Sequence, residues 1–274
     1  MQSLNVGGRL VDLSTPVVMG ILNITPDSFY DGGRYDRMDA AIEHVGKMIE
    51  EGATIIDVGA ASSRPSAVSL SASEELARLS SVVSEIVKQY PNAVLSIDTY
   101  HAMVIDELCK MTSFIINDIT AGRGDTQLLQ SVSRLGFPYI MMHMQGMPDM
   151  MQNDPRYDDV VQELLHFFVE RSREAKHIGI DQIIIDPGFG FGKTVEHNYA
   201  LLSNLDLFQL LGFPVMAGIS RKSMICKVLK VNPVDALNGT TALHMTALMR
   251  GAKILRAHDV KEAMQTIRLW SKLG

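Results

Sequence analysis

Asparagine, aspartate, arginine, lysine and histidine recur in this chain at the ends of short apolar runs. Asn23 follows the run 17–22, and Asp57 closes the run 54–58, which leads into Ser62, Ser63, Arg64 and Pro65. Asp98 follows 94–97, Asn117 and Asp118 follow 114–116, and Met142 and His143 end 139–142. Asp186 opens a glycine-rich string after 182–185, Arg221, Lys222 and Ser223 follow 215–219, and Arg256 and His258 follow 253–255. A carboxylate accepts two parallel N–H bonds from an amino-pyrimidine edge, so Asp98, Asn117 and Asp186 suit a flat, nitrogen-rich heterocycle. Arg64, Arg221, Lys222, Arg256 and His258 supply the positive charge that a phosphate or carboxylate needs. Met142 and Phe191 could cover a ring face. The inventory suggests a heterocycle and two anionic groups.

The runs that end in these residues are strand-length and mostly β-branched, as strands buried on both faces are. Amphipathic stretches lie between them. In 40–51, Ile42, Val45 and Ile49 are spaced by three and four, and Gly52 supplies a stop. Ser73 as N-cap, with Glu74 and Glu75, opens a stretch to Gln89, and Pro91 follows its end. The stretch 157–178 puts Leu164, Leu165 and Phe168 on one face before Gly179. Eight alternating units predict a parallel sheet with right-handed crossovers. They fit a closed (β/α)8 barrel over residues 1–274 better than an open doubly wound sheet, and catalytic groups then cluster where the strands stop. No G-x-G-x-x-G string follows the first run, which weakens the dinucleotide version of the open sheet.

Each polar residue taken singly has a bland reading. Asp259 reads as the N-cap of the last helix, Asp118 as a partner for loop backbone, and the glycines at 188, 190 and 192 as a tight turn. His143 and His244 read as satisfied core histidines, and Cys109 and Cys226 as buried thiols in a reducing compartment. The 17 methionines read mainly as packing. Thirty-one acidic and 25 basic residues, without a long run of either sign, speak against nucleic acid as a partner. No apolar stretch reaches the roughly 18 residues of a membrane span, and the N-terminus lacks a signal-peptide pattern, so a soluble cytoplasmic protein is expected.

Seven strings fix the reading further: GILNITPDSFYDGGRY, SIDT, IINDI, MHMQG, DPGFGFGK, GISRKS and LRAHDV. In order and spacing they closely resemble the dihydropteroate synthase family, over nearly the whole chain. The resemblance implies a (β/α)8 barrel that condenses 6-hydroxymethyl-7,8-dihydropterin diphosphate with 4-aminobenzoate, releasing pyrophosphate. It implies a pterin pocket of Asp98, Asn117, Met142, Asp186 and Lys222, and a diphosphate grip of Arg256 and His258, with Asn23 as a Mg²⁺ or anion contact. It places 4-aminobenzoate near Phe191, Ser223 and the loop of Ser63, Arg64 and Pro65. Asp98, Asp186, Lys222 and Arg256 would be the catalytic set, acting on a C–O bond that ionises before the arylamine attacks. The resemblance also suggests a homodimer through the later helices, where Leu243, Ala247 and Met249 fit either an exposed face or packing on the barrel.

The sequence departs from the family in the second loop. Where many members read Gly-Gly-Glu-Ser-Thr-Arg-Pro-Gly, this chain has Gly59, Ala60, Ala61, Ser62, Ser63, Arg64, Pro65 and Ser66. The hydroxyl persists at Ser63, but a carboxylate is lost at Ala61 and a glycine at Ser66, which bears on contacts to 4-aminobenzoate and its sulfonamide analogues. A folate-dependent methyltransferase serving a corrinoid protein is the nearest enzymatic alternative, and it has no need of the SRKS or RAHDV strings. A pterin-binding module without catalysis is the other, and it should have lost diphosphate-side groups that Asn23, Arg256 and His258 here retain.

Overall fold

The computed structural model describes residues 3–24, 34–60, 70–146 and 155–273. Eight parallel strands form one sheet: β3 (Val17–Asn23), β4 (Ile55–Gly59), β5 (Val94–Asp98), β6 (Phe114–Asp118), β7 (Tyr139–Met142), β8 (Ile183–Asp186), β9 (Met216–Ala217) and β10 (Ile254–Ala257). Their order is β8-β7-β6-β5-β4-β3-β10-β9, and a parallel bridge from Ile185 to Val215 joins the two ends. The expected barrel is therefore closed. The helices α1 (Arg34–Glu50), α2 (Ala72–Gln89), α3 (Ala102–Leu108), α4 (Leu128–Leu135) and α5 (Val160–His177) lie in successive crossovers. Next come α6 (Val195–Ser203), a 3₁₀ segment Leu205–Leu211, α7 (Ser223–Leu229), α8 (Leu237–Met249) and, after the last strand, α9 (Val260–Trp270).

Strand geometry turns alternate residues to opposite faces, and this divides the polar from the apolar parts of the barrel. Outward residues such as Ile56, Leu95, Ile116, Met141, Ile185 and Leu255 pack with the helices in the main core. Inward residues Met19, Ile55, Ile115, Ile140, Ile184, Met216 and Ile254 fill the lower barrel. Two positions further along the same strand faces stand Asp57, Asn117, Met142, Asp186, Gly218 and Arg256. A period of two thus places an apolar floor beneath a polar rim.

That floor has a cover the sequence reading omitted. β1 (Ser3–Val6) and β2 (Arg9–Asp12) pair antiparallel around Gly7 and Gly8, whose φ values of +59° and +93° suit a two-residue hairpin turn. Leu4, Val6, Val11 and Leu13 join the lower-barrel cluster. Gln182 clips the hairpin in place, its Oε1 accepting from the Asn5 amide at 2.6 Å and its Nε2 donating to Asn5 O at 3.2 Å. Glycine pairs between alternating apolar residues are a hairpin signal, so this element was readable.

Other local expectations need correction. The N-cap of α2 is Ser71 rather than Ser73: Ser71 Oγ accepts from the Glu74 amide, and the Glu74 carboxylate accepts from the Ser71 amide. A capping box places the cap three residues before its glutamate, which selects position 71. Strand β9 is shorter than the expected run 215–219, because the chain turns where the Lys222 amide donates to Ile219 O at 3.2 Å. Cys109 and Cys226 are half-buried rather than buried, and both are free thiols. Ala247 packs inside against the barrel, Leu243 is half-buried, and Met249 is exposed.

Leu4→Ala should lower unfolding free energy by about 2–5 kcal/mol, because a fully buried side chain leaves a cavity under the barrel. Urea denaturation checks this, and ligand affinity at the opposite end should be unchanged.

Candidate active site

Arg256 projects from β10 into the barrel mouth and bridges two carboxylates. Its Nε donates to Asp57 Oδ2 at 2.7 Å, and its Nη2 lies 2.6 Å from the same oxygen and 2.9 Å from Asp98 Oδ2. Asp57 is fully buried and also accepts from Asn117 Nδ2, at 3.2 Å to each oxygen. A carboxylate can only accept from an amide, so this contact sets which way the Asn117 amide faces. Burial opposes the charge on Arg256, but Asp57 and Asp98 outweigh it and hold the guanidinium above its ordinary range. Asp98 is pushed up to about 7 by burial, against the pull of Arg256 and with the push of Asp57. One guanidinium shared between buried Asp57 and half-buried Asp98 offsets only part of the cost of charging Asp98.

Asp186 and Lys222 face this bridge from the other side. Asp186 Oδ1 accepts from the Gly188 amide at 2.8 Å; burial raises its pKa while Lys222 opposes the rise. Lys222 Nζ donates to Phe189 O and sits 4.6 Å from the centre of the Phe191 ring, within cation–π range. Burial brings its pKa down to about 8, partly offset by Asp186. Met142, Met144 and Phe191 form a small apolar cluster with Ile119. The result is a slot with carboxylates and an amide along one wall, sulfur and aromatic surface on another, and a cation at the side.

Of the residues expected in the site, Asp98, Asn117, Met142, Asp186, Phe191, Lys222 and Arg256 converge on this slot. Asn23 is exposed at the end of β3, on the strand face of Met19. His258 lies just beyond β10, with its Nδ1 3.1 Å from Ser220 Oγ; desolvation and then Arg256 push its pKa down to about 4, so it offers a neutral N–H rather than the expected positive charge. Ser223 is exposed at the first turn of α7. Ser63, Arg64 and Pro65 lie outside the described residues, as does the departing stretch 61–66.

Three expectations change. Arg221 does not offer its charge to a ligand: its Nε and Nη2 each donate to Asp259 at 2.8 Å, and its Nη1 donates to Pro233 O and Val234 O. Asp259 is correspondingly not a side-chain cap for α9, although it holds the N-cap position. His244 is buried as expected, but neither ring nitrogen has a hydrogen-bond partner, and burial pushes its pKa down to about 4. Asp118 does serve its loop, accepting from Thr120, Gly122 and Tyr139. Two residues of the site were missed: Asp57, which stands two positions after inward Ile55 as Asn117 does after Ile115, and Lys193, the last residue of the glycine-rich string.

A family model described as pterin binding enzyme matches residues 19–258. The dihydropteroate synthase of Haemophilus influenzae is 45% identical over 270 residues, covering 97% of this chain and 97% of that protein. The chain belongs to the pterin-binding enzymes, among the dihydropteroate synthases. A crystal structure of the Yersinia pestis family member with a sulfonamide drug superimposes with a TM-score of 0.93 at 40% identity, over 99% of this chain and 98% of that one. The Xanthomonas albilineans synthase with 4-aminobenzoic acid gives 0.92 at 39%, with the same coverage. Membership makes this chain a transferase.

Asp57→Ala should cost about 3–5 kcal/mol of stability, because the buried Nε of Arg256 and the Asn117 amide then lose their shared acceptor. It should also weaken pterin binding by releasing Asn117. Urea unfolding and a fluorescence titration with a dihydropterin measure the two effects.

Proposed function

We propose that each wall of this slot serves one part of the dihydropteroate synthase reaction of folate biosynthesis. That reaction joins 6-hydroxymethyl-7,8-dihydropterin diphosphate to 4-aminobenzoate and releases 7,8-dihydropteroate and pyrophosphate. The observation that carries the reading is the Asp57–Arg256–Asp98 bridge standing opposite Asp186 and Lys222 over an apolar floor. Asp98, Asn117 and Asp186 accept and donate along the pterin edge, while Met142 covers its face and Lys222 lies along it. The bridge uses Nε and Nη2 of Arg256, which leaves Nη1 to meet the diphosphate together with His258. Phe191 and Ser223 are the described residues to which we assign 4-aminobenzoate, and we assign Ser63, Arg64 and Pro65 from the motif.

Loss of pyrophosphate breaks the C–O bond with both electrons leaving on oxygen. Arg256 and His258 hold the developing anion, and the carboxylates of Asp98 and Asp186 face the cation delocalised through the dihydropterin. The arylamine nitrogen then bonds to the methylene carbon and gives up a proton, so no strong base is required. Among the described residues no three His, Cys, Asp or Glu side chains gather to hold a metal ion. The exposed Asn23 amide suits Mg²⁺, which commonly takes one or two protein ligands alongside substrate phosphates. When bound, Mg²⁺ would supply further charge for the diphosphate.

We further assign the exposed apolar side chains Val228, Leu229, Val234 and Met249 to contact with a second copy of the chain. No helix among the described residues is long and apolar enough to cross a membrane. We place the reaction in the cytoplasm, where the two free thiols stay reduced.

Incubation with both substrates and Mg²⁺ should give dihydropteroate and pyrophosphate in equal amounts. Lys222→Ala or Arg256→Ala should each lower the rate by about a hundredfold or more. Deuterium at the pterin methylene should slow the reaction measurably; an isotope effect near unity would contradict ionisation before attack. Pterin binding without either product would contradict the function itself.

A further inference from the structure

Lys193 ends the glycine-rich string after β8, yet it is almost fully buried, at 4% exposure. Its ammonium meets four acceptors: His143 Nδ1 at 3.1 Å, His143 O at 3.3 Å, Gly188 O at 3.0 Å and Phe191 O at 2.9 Å. Three are carbonyl oxygens, which cannot donate to one another, and an ammonium has three N–H bonds to share among them. Two chain segments meet at this point. One is the loop from Asp186 to Lys193, and the other leaves β7 through His143 to Gln145.

The segments touch backbone to backbone. A Cβ on Gly188 would come within 2.0 Å of His143 O, and one on Gly192 within 2.7 Å of Gln145 O, so glycine permits the approach at both places. Close approach aims carbonyl oxygens at the same small volume, where an unpaired carbonyl is costly. Lys193 supplies donors to His143 O and Phe191 O and shares Gly188 O with the Phe191 amide, although burial holds its pKa well below the ordinary lysine range. His143 must present its lone pair to the ammonium at Nδ1, and burial with the Lys193 charge pushes the imidazole pKa down to about 2, so it stays neutral.

The loop that Lys193 ties down carries both contacts of Lys222. Phe189 O accepts from Lys222 Nζ, and the Phe191 ring lies beneath it at 4.6 Å. Gly188, whose carbonyl Lys193 holds, gives its amide to Asp186. Asp98 and Asn117 are held separately, through Arg256 and Asp57.

We propose that Lys193 is a positioning residue for the condensation: its ammonium fixes the loop against the end of β7 and thereby sets Lys222 and Phe191 over the arylamine side of the slot. This rests on the synthase reading of the slot. The cation touches no substrate; it acts through Lys222 and Phe191. Removing it should therefore lower kcat mainly while Lys222 is present, with the part that passes through Phe191 showing in the 4-aminobenzoate KM in either background, and should leave the carboxylate wall largely intact.

The test is a cycle of Lys193→Met and Lys222→Met, read as kcat, the KM for 4-aminobenzoate and the dissociation constant for the pterin diphosphate. Lys193→Met alone should lower kcat and raise the 4-aminobenzoate KM by about tenfold each, with less than about a threefold change in pterin diphosphate affinity. In the Lys222→Met background the same change should lower kcat by less than about threefold. Equal losses of kcat in both backgrounds, or no loss in either, would overturn the proposal. Lys193→Gln, which keeps two N–H donors, should fall between the wild type and Lys193→Met. If both variants fail to fold, the imidazole ¹⁵N spectrum of the unaltered protein decides: a protonated His143 Nδ1 overturns the lock. Absence of condensation by the unaltered protein would instead contradict the function, and the positioning role with it.

Discussion

One guanidinium between a buried and a half-buried carboxylate organises the upper half of this barrel. Arg256 comes from the last strand, Asp57 from the second strand of the barrel and Asp98 from the third, so the bridge ties β10 to strands two and three places away in the sheet. Asp57 passes the constraint to Asn117 on the next strand. Buried ion pairs contribute little net stability by themselves, and breaking one is costly. Their value here is geometric: the acceptors and donors that meet a heterocycle are held before it arrives. The same bridge is electrostatically incomplete: burial, and then the second carboxylate, push the Asp98 pKa up to about 7 against the pull of Arg256. A pterin that offers N–H bonds to the carboxylate favours its ionised form.

The barrel was readable because strand geometry is local. A run such as Thr54, Ile55, Ile56, Asp57 and Val58 has apolar residues for both faces and one carboxylate two places after an inward isoleucine. Repetition of that pattern at Ile115 and Asn117, Ile184 and Asp186, and Ile254 and Arg256 gives the fold and the height of the site together. The hairpin at the bottom was equally local, written in Gly7 and Gly8, and was passed over because it carries no chemistry. Short β9 was harder to bound, since Val215 to Ile219 is apolar throughout and only the turn at Lys222 ends the pairing.

Partnership across the fold was not readable. Arg221 and Lys222 are adjacent, and nothing in their types tells which enters the slot. Asp259, 38 residues away from Arg221, takes that guanidinium in a two-pronged contact, and the φ of +55° at Arg221 accompanies the turn away. Lys193 shows the converse. A lysine closing a glycine-rich string invites a reading as a phosphate contact or a solvated end, yet it is sealed among carbonyls contributed by two loops. Asp57 was visible at a strand end but had no assigned role until Arg256 and Asn117 were seen to share it.

The most direct test of the account is the proton balance when 6-hydroxymethyl-7,8-dihydropterin binds, measured by calorimetry in buffers of different ionisation enthalpy. A carboxylate with a pKa near 7 is mostly protonated at pH 6 and mostly ionised at pH 8.5, and a ligand that donates N–H bonds to it favours the ionised form. Binding should therefore release close to one proton at pH 6 and almost none at pH 8.5. Proton uptake at pH 6, or no exchange at either pH, would mean that Asp98 is not the acceptor whose pKa burial raises against the pull of the shared arginine.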